Sequence, residues 1–454
     1  MSPFESYKQV LEQSQPVGMA GRVSAVRGLT VSVSDFPVPV GASCRIQRGA
    51  DGVEARVIGF GGDQTLIMPM GAMTGICRGD RVICTSTEQT VGVGEAMLGR
   101  MVSALGRPVD YRGDLRTEAV APIWPGPIGP MQRRRISEPL ATGVRAIDAM
   151  LTVGRGQRMG IFSGSGVGKS VLLGMIGRYT SADVNVIALI GERGREVRDF
   201  VERDLGEEGL ARSVVVVATA DEPPLLRVQA GAVAAAIAEY FRDKGRDVLL
   251  LVDSITRLAM AQRQIGLVAG EPPATRGYTP SVFNLLPELL ERSGRTDRGS
   301  VTGFYTVLVE GDDMADPIGD AVRATSDGHI WLERHLANRG HYPAIDVLHS
   351  VSRAMMDVAD PTHLAEAAEV RRLLTMYADV EELVNIGAYH AGASPDHDLA
   401  IRSAPEIRAF LVQSIHEPAA WPQTMAKLHE LGKWIARQKD TLKRRQVNSA
   451  VPAA

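Results

Sequence analysis

The segment that most constrains this chain is Ser163-Gly-Ser-Gly-Val-Gly-Lys-Ser170. It follows an apolar run, Arg158-Met-Gly-Ile-Phe162, that reads as a strand, and it precedes Val171-Leu-Leu-Gly-Met-Ile176, which reads as a helix. Strand, glycine-rich loop and helix in that order make a phosphate cradle. Glycines let successive N–H groups converge on phosphate oxygens, and the helix N-terminus adds its positive dipole. Ser163, Gly164, Ser165, Gly166, Val167, Gly168, Lys169, Ser170 and Val171 are therefore the candidate binding set for ATP. Lys169 is expected to reach the β- and γ-phosphates, and the Ser170 hydroxyl to ligate Mg2+. The loop departs from the strict pattern at its first position, where Ser163 stands for glycine. Gly164, Gly166 and Gly168 keep the turn feasible.

Further strand-like runs surround this segment: Val184–Ile190, Val214–Val217, Val248–Val252 and Thr306–Val309. Near-continuous apolar runs suit strands covered on both faces, which predicts a mostly parallel sheet flanked by helices over residues 94–360. Residues 17–93 instead carry short β-rich runs broken by Gly and Pro (Gly21–Val26, Leu29–Val33, Glu54–Ile58), the texture of a small barrel or sandwich. From 361 to 454 the strands stop. Thr362–Leu374 and Trp421–Arg445 show helical periodicity, with a frayed tail expected from about Val447. Residues 1–16 form a leader in which Phe4, Tyr7, Val10 and Leu11 have helix-compatible spacing. Residue chemistry leaves open a docking segment or a ragged end.

Two features add chemistry to the cradle. Val248-Leu-Leu-Leu-Val-Asp253 ends in a carboxylate, and a parallel strand's C-terminal end lies beside the ligand crevice, so Asp253 is a second Mg2+ candidate. Gly191-Glu192-Arg193-Gly-Arg195-Glu196 directly follows the strand ending at Ile190. Glu192 could orient and deprotonate an attacking water while Arg193 steadies a γ-phosphate; a solvated loop is the alternative.

Composition matters here for what it excludes. A formal net charge of −3 argues against a general polyanion binder. A nucleic-acid translocase with a Rho-like ring would want aromatics interleaved with basic residues near its N-terminus. The first 90 residues offer only Phe4, Tyr7, Phe36 and Phe60, and Arg133-Arg-Arg135 reads as a solvated loop. Nucleic acid is not expected as a partner. Cys44, Cys77 and Cys84 lack C-x-x-C spacing and read as buried thiols in a reducing compartment. No apolar run approaches the roughly 18 residues a membrane span needs, and Met1–Pro16 lacks the pattern of a secretion signal, so a cytoplasmic location is expected.

Taken in order, the phosphate loop, the Glu192 segment and Asp253 resemble the nucleotide-binding subunits of F-type and V-type rotary ATPases and their type III secretion relatives. Glu138-Pro-Leu-Ala-Thr-Gly-Val-Arg-Ala-Ile-Asp148 and His341-Tyr-Pro-Ala-Ile-Asp346 carry the resemblance along nearly the whole chain. It implies a RecA-like α/β P-loop core, an N-terminal small β-barrel and a C-terminal helical domain. Within the family, Lys169, Glu192, Arg193 and Asp253 match catalytic positions, and Arg257 matches an arginine near the phosphates. Arg353, in Ser350-Val-Ser-Arg353, matches an arginine that reaches a neighbouring subunit's site, an arginine finger in trans. A surface salt bridge is the alternative for Arg353. Tyr342 resembles the family's adenine-stacking tyrosine, against a core tyrosine as the alternative.

The non-catalytic subunit of the rotary synthases lacks the glutamate that Glu192 supplies, so the resemblance disfavours the alternative of a non-hydrolysing structural ring subunit. Val384–Asp396 resembles the Gly-Ala-Tyr segment of the flagellar protein-export branch, and Phe162–Gly174 resembles the export ATPases generally. Val309-Glu-Gly-Asp-Asp-Met314 and Leu336–Tyr342 look more like the flagellar than the virulence-secretion member, which is the neighbouring alternative. The resemblance implies a homohexameric ring hydrolysing Mg·ATP. Its implied partners are a stator-like regulator docking on residues 1–16, a coiled-coil stalk protein in the pore, a membrane export gate and chaperone–substrate complexes. It also implies a peripheral position at the inner-membrane export apparatus.

Overall fold

The computed structural model describes residues 18–49, 51–309 and 316–449. The leader apolar residues Phe4, Tyr7, Val10 and Leu11, and most of the segment Val309–Met314, lie outside them. Six strands close a barrel in the order β1-β2-β5-β4-β3-β6. They are β1 (Ala20–Arg27), β2 (Thr30–Ser34), β3 (Ser43–Arg48), β4 (Asp51–Gly61), β5 (Gln64–Pro69) and β6 (Arg81–Ser86). Alternation turns Val23, Val31, Val33, Ile46, Val57, Ile67 and Val82 into one small core, and closure leaves no open sheet edge. The β-rich texture expected of the barrel runs to Val93. The closed strands end at Ser86, and β7 (Thr90–Val93) pairs instead with β9 (Ala119–Pro122), beyond β8 (Arg100–Ser103). Nor are all three cysteines buried thiols. Only Cys44 is buried, which pushes its thiol up to about 12, while Cys77 is exposed on the loop after β5.

A two-strand ladder, β10 (Pro139–Leu140) with β11 (Val153–Gly154), leads into the central sheet. That sheet comprises β12 (Arg158–Ser163), β13 (Val184–Ile190), β14 (Ser213–Ala218), β15 (Asp247–Asp253), β17 (Ser300–Leu308), β18 (Gly328–Leu332) and β19 (Ile345–Ser352), with β8 at one edge. Its order is β19-β18-β12-β17-β15-β13-β14-β8, and a short β16 (Gly294–Arg295) turns antiparallel onto β17. From β18 to β8 every neighbour is parallel; β19 alone runs back along β18. The apolar runs feed two cores. Val186, Ala188, Val216 and Leu250 face one side, while Ile187, Leu189, Val215 and Leu249 face the other. This is the double coverage that near-continuous apolar strands require. Helices α1 (Lys169–Tyr179), α2 (Pro224–Asp243) and α3 (Ile255–Val268) belong to these layers.

The C-terminal region is helical: α4 (Pro361–Asn385), α5 (Pro395–Leu411) and α6 (Trp421–Ser449). Asp360 caps α4 by accepting from the N–H groups of Thr362 at 2.9 Å and His363 at 3.0 Å. The backbone of α6 continues to Ser449.

Arg145, in the short helix Arg145–Met150, ties this region to the core. Its buried guanidinium donates to the carbonyls of Phe410 and Val412, both at 3.0 Å, and pairs with Glu417. Arg145→Met would leave two carbonyls short of a donor while keeping most of the stem. It is expected to cost about 1–3 kcal/mol, read as a lower urea midpoint with an unchanged slope.

Candidate active site

Parallel strands put their C-terminal ends on one edge of the sheet, and there three chain segments meet. The loop 164–168 leaves β12 and enters α1; Glu192 lies two residues beyond β13; Asp253 ends β15. Gly166 and Gly168 adopt φ of +78° and +93°, left-handed values that side-chain-bearing residues rarely take. Gly191, at φ +72°, lets the chain turn beneath Arg257, whose Cδ would lie 2.8 Å from an added Cβ. A cavity of about 440 Å3 opens here, lined by Gly164, Ser165, Gly166, Gly168, Lys169 and Ser170 of the loop, with Glu192, Arg193 and Arg257 opposite.

Lys169 pairs with Asp253 and lies 3.7 Å from Glu192. Asp253 is buried at 2% exposure and also accepts from the Thr306 hydroxyl at 2.7 Å. Arg257 Nη2 contacts Glu192 Oε2 at 3.3 Å, and its Nη1 donates to the Gly191 carbonyl. Burial, with Asp253 as a second negative charge, pushes the Glu192 carboxyl up to about 7, against the opposing pull of Lys169 and Arg257. A hydrogen bond donated by the protonated Glu192 carboxyl to Glu196 adds to the rise. Glu196 itself sits below its ordinary value, burial being outweighed by that bond and by Arg193. Glu192 is thus a carboxyl poised to exchange a proton near neutrality, as a general base requires.

The arrangement fits Mg·ATP. Asp253 is buried and paired with Lys169 at the end of the loop. Ser170 opens α1 on the same cavity. Among the described residues the Lys169 ammonium has only carboxylate partners, which phosphate oxygens can replace.

Not every predicted loop residue faces this cavity. Ser163 is the last residue of β12, fully buried, paired in register with Leu308 and Leu332, so its side chain belongs to the sheet interior. Val167 points to a second, apolar cavity of about 220 Å3, which it shares with Gly168, Val171, Tyr342, Gln413 and Ile415. The Tyr342 ring lies 3.6 Å from the position of a Cβ on Gly168 and is 43% exposed, which removes the core-tyrosine alternative. Gln413 and Ile415 escaped the sequence reading because no local pattern links the chain after α5 to a loop some 250 residues earlier. Thr306 and Glu196 were missed too, although the i, i+4 spacing of Glu192 and Glu196 was a usable signal.

Arg193 is exposed at the start of the short helix Gly194–Asp199 and approaches Glu196 at 3.7 Å. Arg353 is not in its own chain's cavity. Its N–H donates to Asp327 O at 2.9 Å, and Asp327 N donates to Arg158 O, at the opposite end of β12 from the loop. With about 3.3 Å per residue along a strand, some 20 Å separates it from Gly164. The Arg353 side chain is exposed and makes no ion pair among the described residues, so the surface salt-bridge alternative is not realised. Arg133 and Arg134 pair with Glu291 and Asp297, and Phe36 is buried in the barrel.

Known proteins agree with this geometry. Residues 23–86 match the beta-barrel domain and residues 143–352 the nucleotide-binding domain of the ATP synthase alpha/beta family. Residues 359–430 match the T3SS EscN ATPase C-terminal domain. The flagellum-specific ATP synthase of Bacillus subtilis (strain 168) is 49% identical over 432 residues, covering 94% of this chain and 98% of that one. The assembled ATPase EscN of the enteropathogenic E. coli type III secretion system superposes with a TM-score of 0.86 at 42% identity, covering 91% of this chain and all of that one. EscN in complex with its central stalk EscO gives 0.85 at 41% identity over the same share of both chains. With a barrel, a P-loop sheet and a helical C-terminal region all matched, the chain belongs to the ATP synthase alpha/beta family, among the flagellum-specific and type III secretion ATPases, and is an ATPase.

Proposed function

We propose that this chain hydrolyses Mg·ATP in a homohexameric ring that energises flagellar protein export. The observation that carries the reading is the convergence of Lys169, Glu192 and Arg257 on one cavity at the phosphate loop, with Asp253 buried against Lys169. Loop N–H groups, Lys169 and Arg257 would hold the phosphate oxygens. Ser170 and Asp253 would hold Mg2+, which neutralises charge on the β- and γ-phosphates when bound. Glu192 takes a proton from the attacking water as its oxygen bonds to the γ-phosphorus and the bond to the β–γ bridging oxygen breaks, leaving ADP and phosphate. Tyr342, Val167 and Val171 would cover the adenine. Arg193 and, from a neighbouring copy, Arg353 would steady the charge on the transferring group.

The ring is favoured by Arg353 itself, a cation remote from its own chain's cavity, and by the assembled state of EscN. The EscN–EscO complex supports a stalk partner of the same kind. A stator-like regulator at residues 1–16, a membrane export gate and chaperone–substrate complexes complete the proposed surroundings, with the chain peripheral to the inner membrane. No helix among the described residues is long and apolar enough to cross one. Flagellar export is favoured over virulence export by the 49% identity to the flagellum-specific ATP synthase of Bacillus subtilis over 94% of this chain.

The test is complementation of a flagellated strain lacking its own export ATPase. The wild-type chain should restore filament protein in the medium, and Lys169→Ala should not, at equal cell content of the ATPase. Secretion restored equally by both would overturn the reading. Hydrolysis stimulated by single-stranded RNA would favour a translocase instead.

A further inference from the structure

Gln157 is fully buried immediately before β12, and its amide is used from both ends. Its Oε1 accepts from Gly154 N at 2.8 Å. Its Nε2 donates to the Ser352 hydroxyl at 3.0 Å and to the Asp327 carbonyl at 3.2 Å. That same carbonyl accepts from Arg353 N, and Ser352 Oγ donates onward to Thr152 O at 2.7 Å. The chain neighbour of Arg353 and the carbonyl it rests on are therefore both held by one desolvated amide. Arg158 stiffens the platform by gripping the Asp327 carboxylate through Nε at 3.0 Å and Nη2 at 2.9 Å.

We infer that Gln157 is a positioning residue for Arg353, fixing from inside its own subunit the cation that completes a neighbour's site. The inference rests on reading Arg353 as acting in trans. An exposed arginine with no ion pair to hold its head among the described residues is located only by its backbone, so whatever holds Asp327 O and Ser352 decides where the guanidinium can reach. Only a carboxamide supplies an acceptor for Gly154 N together with two donors for these groups. Leucine fills similar volume and supplies none.

Because Gln157 also immediately precedes the strand that leads to its own phosphate loop, the experiment must separate the two directions. Full-length Gln157→Leu, assembled with Mg·ATP, should lose about tenfold to a hundredfold in kcat, the scale of a 1 Å misplacement, with KM within about twofold of wild type. Mixing disassembled Gln157→Leu subunits with Lys169→Ala subunits before assembly should then raise the rate, since the second variant lends intact Arg353 to sites whose phosphate loops are sound.

No gain on mixing, or a wild-type kcat for Gln157→Leu alone, overturns the inference. Arg353→Ala mixed with Lys169→Ala is run in parallel; failure there as well sinks the in-trans reading itself, whereas recovery there alone sinks only the role of Gln157. If Gln157→Leu no longer binds ATP and so reports a folding defect, Ser352→Ala decides by the same mixing scheme. It removes one leg of the platform from a partly exposed position.

Discussion

Arg353→Ala is expected to lower kcat of the assembled enzyme by about 10³–10⁵-fold, the contribution an arginine finger makes to phosphoryl transfer. The expectation follows from register. β19 runs antiparallel to β18, so the residue after it emerges beside Asp327 and Arg158, at the edge of the sheet remote from the phosphate loop. No rotamer of one arginine spans that distance within a subunit, whereas a ring brings this edge against the next copy. ATP binding by the isolated subunit should be unaffected, because no atom of Arg353 lines either cavity. Steady-state hydrolysis across a range of protein concentrations is the measurement. Wild type should gain rate per subunit as it assembles and the variant should not. An unchanged kcat in the assembled variant would dismiss the finger.

Glu192→Gln should cost about 10²–10⁴-fold in kcat, the range of a positioned general base, with Mg·ATP binding retained. The pH dependence adds a second signature. Burial and Asp253 push the Glu192 carboxyl up to about 7, so the base-competent carboxylate is lost as pH falls through that value. Wild-type kcat/KM should fall about tenfold per pH unit well below it, and this limb should be absent from the residual rate of Glu192→Gln.

Stability runs the other way. A folded-state value raised above the ordinary 4.5 means the folded protein prefers the protonated carboxyl. That contribution is complete below about pH 4.5 and disappears as pH rises through 7. The nucleotide-free Glu192→Gln protein should therefore melt higher than wild type at pH 8 and similarly at pH 5. A lower melting temperature at pH 8 would show that the charge is stabilising and the base poorly poised.

Some of this site was legible residue by residue. The cradle could be read because its requirements are local: glycine where φ is positive, a lysine and a serine at the mouth of a helix, an apolar strand before them. Asp253 could be read because β15 is continuously apolar up to its final carboxylate. The short edge strand β8 was not legible, since Arg100-Met-Val-Ser103 has neither length nor alternation. β19 was obscured by a bulge that sets Val347–Ser350 against the single residue Ile330. Its pairing depends on the Ser350 hydroxyl accepting from Trp331 N at 2.9 Å, a contact no sequence period announces.

The amino-acid sequence by itself determined the chemistry available to this protein: a phosphate loop over Ser163–Ser170, a candidate base at Glu192, a candidate Mg2+ carboxylate at Asp253, and the barrel, α/β and helical textures in that order. These are properties of short segments, set by backbone freedom and side-chain type. Only the tertiary structure decided that Ser163 is sheet interior, that Val167 and Tyr342 share an apolar cavity with Gln413 and Ile415, and that Arg353 sits behind its own site on a platform held by Gln157. Those outcomes depend on strand order and register, which bring together residues hundreds of positions apart and which local preferences do not encode.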